Sequence, residues 1–318
     1  MPYGLKNHIK MKRKIIVFFL IVLITIGITY LLPSKGEEVE STSVEIPLEA
    51  VIRTMSDQKK WTGWWSGKVI TDSSYELNGA SINIEKNLLN GFNAQIINGN
   101  LISKIELQFM PISPLETKFT IHLTHQFSSN VFTKATQYIH LLKTKKIKAQ
   151  LLNSLSAFFS NTKSVYGFAI ETQKITQSSL IATKKDLNHY PSVIELYELI
   201  HQLKQYIASQ NAKAMDEPIM NVFKLDSSNY RLMAAISTDR DLPSTDTYFL
   251  KNMVLGNVLV ADIIGGQQAI EAGIRALEYY LQDYKKMCPA IPFQRLVTDR
   301  SAEKDSSKWI TKLYYPIY

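Results

Sequence analysis

Three kinds of hydrophobic spacing follow one another along the chain. Residues 15–32, IIVFFLIVLITIGITYLL, form an unbroken apolar run of eighteen residues without a charge. Short runs with period two come next, at 39–46, 81–85, 93–97, 103–110 and 117–124, the alternation that half-buried strands require. Of these, IELQFMPIS and TKFTIHLTH read as a neighbouring antiparallel pair. Between the first two runs Pro47 opens a short amphipathic helix, which Asp57 closes near a turn. The spacing then lengthens: Ile147, Leu151, Leu155 and Phe158 fall on one face of a long helix.

From Gly167 the texture changes to strand, helix and strands, twice over. The first helix covers 192–210, capped by Ser192, with a stripe of Val193, Leu196, Ile200, Leu203 and Ile207. The second covers 267–286 with Ile270, Ile274, Leu277 and Leu281. Ile194-Glu195 and Ile270-Glu271 stand near their starts, and each helix is followed by a proline and a strand ending in aspartate, PIMNVFKLD and PFQRLVTD. This predicts an internal duplication with a period of roughly 75 residues, each unit a strand, a helix and two strands. The chain closes on WITKLYYPIY, whose alternation sets Ile310, Lys312 and Tyr314 on one face and Trp309, Thr311, Leu313 and Tyr315 on the other. An apolar, alternating terminus predicts a strand tied into a sheet. The whole reads as an α+β protein.

Composition adds a location. The chain has 318 residues and a formal charge of +8, and five of its 36 basic side chains (Lys6, Lys10, Lys12, Arg13 and Lys14) stand in segment 1–14, which has no acid. The remainder is 31 basic (36 − 5) against 28 acidic residues, so the charge marks a flank rather than a nucleic-acid face. Eighteen helical residues span roughly 27 Å, close to a bilayer's hydrocarbon thickness. Segment 15–32 therefore reads as an uncleaved anchor, with a signal peptide and a buried core helix as alternatives. The basic flank predicts a cytoplasmic amino terminus and places everything after residue 33 across the membrane. An acidic linker is expected at 33–40, then domains at 41–162 and 165–318. Cys288 is the single cysteine, which excludes an intramolecular disulfide. Six scattered histidines offer no metal-ligand spacing, and no cofactor is expected.

Two resemblances follow. Pro47, Asp57, Trp61 and Trp64, set between the first strand and the later strand series, resemble the START-like (polyketide cyclase-type, SRPBCC) superfamily. That likeness implies a helix-grip layout with a cavity between a curved sheet and a long helix. From the residues alone, Trp61, Trp64 and Trp65 are either a core plug, a pocket wall or a membrane-surface contact. The duplicated half resembles the GyrI-like, AraC-type effector-binding domain. The residues that carry it are Pro292, Phe293, Gln294, Leu296, Asp299 and Arg300, then Asp305, then Trp309, Thr311, Lys312, Pro316 and Ile317. In that family a buried glutamate in the terminal strand balances cationic ligands; Lys312 stands in its place here, and an ammonium would repel a cation. If the family geometry holds, Lys312 faces the groove; it reads either as a ligand contact or as an edge-strand lysine that discourages aggregation.

The resemblances imply candidate ligand contacts at Lys312, Tyr314, Trp309, Leu296, Phe223 and Trp64, with no catalytic residue and no metal. Gly265-Gly266 before a helix reads as an anion cradle or, more simply, a turn. Lys143 to Lys148, KTKKIK, reads as a solvated helix face or a contact with acidic lipid headgroups. Glu195 and Glu271 read as exposed helix carboxylates. The leading expectation is a membrane-tethered protein that binds a small hydrophobic or amphipathic molecule, with the bilayer as partner through 15–32 and no nucleic acid. The alternatives are a hydrolase or cyclase acting on a small hydrophobic substrate, and a protein-interaction or transcription-related regulator.

Overall fold

A computed structural model describes residues 3–176 and 179–318, with side-chain surroundings from residue 14 onward apart from Thr25. The expected basic segment 1–14 thus lies outside the described side chains except for Lys14. The chain divides into two compact units, Met1–Ser160 and Asn161–Tyr318.

The first unit opens with α1 (Tyr3–Leu31). Its stretch Lys14–Leu31 has a mean hydropathy of 2.5 with 6% buried, long and apolar enough to cross a bilayer by length and composition. β1 (Lys35–Val44) and α2 (Leu48–Met55) follow, then a 3-10 turn at Gln58–Gly63. Asp57 accepts a hydrogen bond from the Lys59 N–H and so starts that turn, whereas α2 itself stops two residues earlier. Six more strands run on: β2 (Lys68–Thr71), β3 (Ser74–Leu77), β4 (Ala80–Leu88), β5 (Gly91–Asn98), β6 (Leu101–Ser113) and β7 (Glu116–Gln126). The long helix α3 (Val131–Phe159), capped by the Asn130 side chain, closes the unit.

The sheet is an antiparallel meander with β1 added beside β7, in the order β1-β7-β6-β5-β4-β3-β2. Alternation puts Phe92, Ala94, Ile105, Leu107, Ile121 and Leu123 on one buried face. Ile147, Leu151 and Leu155 of α3 are buried as their spacing predicts. The expected linker at 33–40 is instead mostly strand, since Lys35 to Val44 pair residue for residue with Gln126 to Thr117. Its polarity has a reason. Glu38 and Glu40, partnered across the ladder by Leu123 and Ile121, meet Lys148 of α3 at 3.3 and 3.1 Å, and Lys145 reaches Glu38 at 2.5 Å. Two lysines of the KTKKIK segment are therefore committed to the sheet, while Lys143 and Lys146 stay exposed.

The second unit begins with α4 (Thr162–Tyr166), β8 (Ile170–Ile175), β9 (Ser179–Leu187) and α5 (Val193–Ser209). It continues with β10 (Ile219–Lys224), β11 (Tyr230–Ser237), β12 (Phe249–Asn252) and β13 (Gly256–Ile264). α6 (Gln267–Asp283), β14 (Phe293–Leu296) and β15 (Ile310–Pro316) complete it. The sheet order β12-β9-β11-β10-β14-β15-β13-β8 is a palindrome of the duplication, with the pseudo-twofold between β10 and β14. The repeat holds one strand more than the expected strand, helix and two strands. Each unit's leading strand crosses to the far edge: β8 pairs with β13, and β12 pairs with β9.

α5 and α6 cover one face of this sheet. Leu196, Ile200 and Leu203 pack on Ile181, Leu232 and Ile236. A Cβ at Gly273 of α6 would come within 2.9 Å of Ile263 and Leu313, so the glycine permits close helix-to-sheet approach. Ser192 and Glu195 form a reciprocal capping box at the start of α5.

Candidate functional site: a two-chamber groove

The face of the eight-stranded sheet opposite α5 and α6 is built by the other half of each strand's alternation. Leu180, Ala182, Ile219 and Ala235 form a buried apolar patch on the first repeat, flanked by Phe249, Met253 and Phe293. Val258, Val260 and Tyr314 form its counterpart on the second repeat, flanked by Ile175 and again Phe293.

Two adjoining chambers open on this face. One, of about 280 Å³, is bounded mainly by apolar side chains, including Leu180, Ile219, Met233, Met253 and Ile291, with Asn221, Asn252 and Lys251 among them. The other, of about 210 Å³, is polar, with Gln173, Lys174, Thr176, Asp216, Ser237 and Arg295 around Tyr314. Ile175, Met253 and Phe293 belong to both walls.

The polar chamber has a stacked frame. The Phe293 and Tyr314 rings, paired across β14 and β15, lie 4.8 Å apart and 6° from parallel. The Arg295 guanidinium lies 5.2 Å from the Tyr314 ring centre. Its Nη1 is 3.8 Å from Asp216 and 3.9 Å from Glu217, and the side chain is 21% exposed. Asp216 in turn accepts the Ser237 hydroxyl at 3.0 Å. Asn221 ties the first repeat to the second by donating to the Pro292 carbonyl at 2.8 Å.

The residues expected to contact ligand are dispersed. Tyr314 lines the polar chamber. Lys312 faces the same side but is engaged by Asp262 of β13 at 3.5 Å, and it lines neither chamber. Leu296 belongs to the α5 side of the sheet, where it is 2% exposed. Trp309 sits under Arg300, whose guanidinium is 4.9 Å from the indole, and its Nε1–H donates to the Glu303 carbonyl. Burial lowers the Arg300 guanidinium's affinity for its proton. Phe223 is 59% exposed on β10. Trp64 belongs to the first unit, where it is buried against Trp61 and Trp65 with ring centres 5.6 and 5.2 Å away. Trp61 also packs on Phe92 of β5, and Phe119 of β7 packs on Phe109 of β6 and on Phe159 of α3, all of them buried.

Arg295 is the groove residue that motif reading missed. Attention to Gln294 and Leu296 picked the helix-facing half of β14; alternation from Phe293 would have pointed to Arg295. Gly265 has a φ of 130° and its N–H donates to Trp309, which makes the glycine pair a turn into α6. Glu195 is held down to about 2 by hydrogen bonds from the Ser192 backbone and side chain, so its work is capping. Burial pushes the Cys288 thiol up, away from the thiolate a nucleophile needs. Among the described residues no group of three His, Cys, Asp or Glu could hold a metal ion.

No protein-family model matches the chain, and no curated protein does. Solved structures do. The C-terminal domain of EcmrR is similar at 10% identity and a TM-score of 0.42, over 48% of this chain and 98% of that one. SAV2435 bound to tetraphenylphosphonium is similar at 13% identity and 0.32, over 47% and 93%. A hydrolase from Listeria innocua is similar at 9% identity and 0.36, over 46% and 92%.

Proposed function

We propose that the protein binds a small amphipathic molecule in the groove of its second unit and is held at a membrane by α1. The observation that carries this reading is the pairing of an apolar chamber with a polar one through the shared wall of Ile175, Met253 and Phe293. Pockets that hold organic ligands are mostly apolar with a few placed polar groups, and two chambers of opposite character suit a molecule with a tail and a head. Met233 and Met253 add an adaptable lining, as flexible thioethers do in cores that accept varied shapes. The strand exchange and palindromic order fit a GyrI-like effector-binding module.

The first unit fits a START-like helix-grip module in its order of strand, short helix, meander and long helix. Its buried aromatic side chains favour a supporting role there over ligand capture. The tether rests on the apolar stretch of α1, and the basic flank favours a cytoplasmic amino terminus with both units on the far side. Sensing or sequestration follows from such a placement. No nucleic-acid role is assigned.

The test uses a neutral probe, so that head chemistry plays no part. The full chain in lipid nanodiscs is photolabelled with a diazirine-bearing octanol and the adducts are mapped. Labels should fall at Met233, Met253 and Ile291, and Ala235→Trp, which fills the apolar chamber, should remove them. Labelling confined to α1, or indifferent to the filled chamber, would refute groove binding.

A further inference from the structure

We infer that the groove recognises the head of its ligand through Arg295, and that the head is a carboxylate on a medium-length apolar chain. The inference deepens the groove-binding reading and rests on it. Arg295 is positioned by β14, whose alternation places it beside Phe293 on the helix-free face, with Ile219 as its partner across the pseudo-twofold. The Tyr314 ring, 5.2 Å from its guanidinium carbon, helps hold it in place.

A guanidinium has five N–H donors and accepts nothing. Here the Nε–H is the one left without an acceptor. Asp216 and Glu217 stand at 3.8 and 3.9 Å, close enough to balance charge but too far to hydrogen-bond, and Asp216 already accepts Ser237. The Arg295 Nε is shielded from solvent and has no hydrogen-bond partner. A buried donor left unmet is costly, so this side chain is arranged for an acceptor that comes from outside. The planar fork of arginine matches a carboxylate in two parallel hydrogen bonds.

Charge agrees with geometry. The walls of the two chambers carry Lys174, Lys251 and Arg295 against Asp216, with Glu217 3.9 Å from Arg295 as a second carboxylate, so the cations outnumber the acids by one. An ammonium head would enter a groove that is net positive. The apolar chamber, about 280 Å³ and open on one side, has room for an alkyl chain of medium length, and an eight-carbon chain serves as the probe.

The experiment is equilibrium dialysis of octanoate and of octyltrimethylammonium against the full chain in nanodiscs, with empty nanodiscs subtracted. Octanoate should bind at least about tenfold more tightly than the ammonium. Arg295→Gln should weaken octanoate about tenfold or more, the scale of a lost charged hydrogen bond, with folding verified by thermal melting. Lys174→Glu, on an exposed edge strand and so safe for folding, should weaken it about fivefold, and Asp216→Asn should tighten it several-fold. Equal or tighter binding of the ammonium overturns the inference while leaving the groove in place, and so does an Arg295→Gln or Lys174→Glu affinity within twofold of the parent. If octanol fails to label the groove, both readings fall.

Discussion

Lys148 gives a sharp test of the first unit. It stands on the inward face of α3 with its side chain 7% exposed, its Nζ 3.3 Å from Glu38 and 3.1 Å from Glu40 of β1. At an effective dielectric of about 20 each contact is worth roughly 5 kcal/mol before desolvation, which takes back several kcal/mol per ion. Removing one partner of a buried pair costs about 3–5 kcal/mol, but Glu40 is 41% exposed and partly screened. Lys148→Met, which keeps the stem and deletes the charge, should therefore destabilise the unit by about 2–3 kcal/mol. Exposed Lys143→Met should cost under about 0.5 kcal/mol. Three of the chain's four tryptophans lie in this unit, so urea unfolding followed by fluorescence in a Trp309→Phe background reports on it alone. Burial alone would raise the Glu38 carboxyl, and the hydrogen bonds from Lys145 and Lys148 outweigh it to hold the group low. A depressed carboxyl contributes stability above its unfolded value of 4.5 and loses it as pH falls below, so the variant should also unfold with a weaker acid dependence. A loss no larger than that of Lys143→Met, or an unchanged acid slope, refutes the clamp.

Two other perturbations probe the second unit. Removing residues 310–318 deletes β15 from the sheet interior between β14 and β13, and should abolish the cooperative melting of this unit while the first unit's fluorescence transition stays put; survival of both transitions would sink the role given to the terminal strand. Glu195, held to about 2, should stabilise α5 above pH 4.5 and progressively less as pH falls toward 2, so Glu195→Gln should flatten the stability-against-pH curve there, and parallel curves would count against the capping box.

Much of this architecture was legible because its periods are clean. The meander from β4 to β7 and the stripes of α3, α5 and α6 alternate or recur over many residues, and the duplication repeats a helix followed by Pro218 or Pro292. What escaped notice lacked a periodic apolar face. The second half of β1 lies within the alternating run 39–46, but its start reads as linker because Glu38 and Glu40 are carboxylates that point inward, met by lysines on a helix about a hundred residues away. β2 and β3 are four residues each, although Asn78-Gly79, with φ of 53° and 78°, is a hairpin signal that stands in the sequence. The exchanged edges β8 and β12 show burial on few residues and so leave no stripe. In the groove, alternation placed Tyr314 on the open face, but the register that gives Lys312 to Asp262 is a property of strand pairing, and motif matching drew attention away from Arg295.

The duplication also explains why a nearly symmetric sheet carries an asymmetric groove. Pro218-Ile219 and Pro292-Phe293 begin equivalent strands, and the pairs Ile219 with Ala235 and Phe293 with Tyr314 occupy equivalent registers. Counting outward, Asn221 corresponds to Arg295 and Met233 to Lys312. The first repeat thus places a branched aliphatic, an alanine and an asparagine where the second places two stacked rings and the Arg295 guanidinium. Small apolar side chains leave room above the sheet, which is where the apolar chamber lies; the stacked rings close that room and present a fixed charge beside it. A ligand lying across the pseudo-twofold meets a tail site from one copy and a head site from the other. Exchanging one equivalent pair, Ala235→Tyr with Tyr314→Ala, would move bulk from one chamber to the other without changing total composition, so a tail-and-head ligand should lose its place in the double variant even where the sheet stays folded.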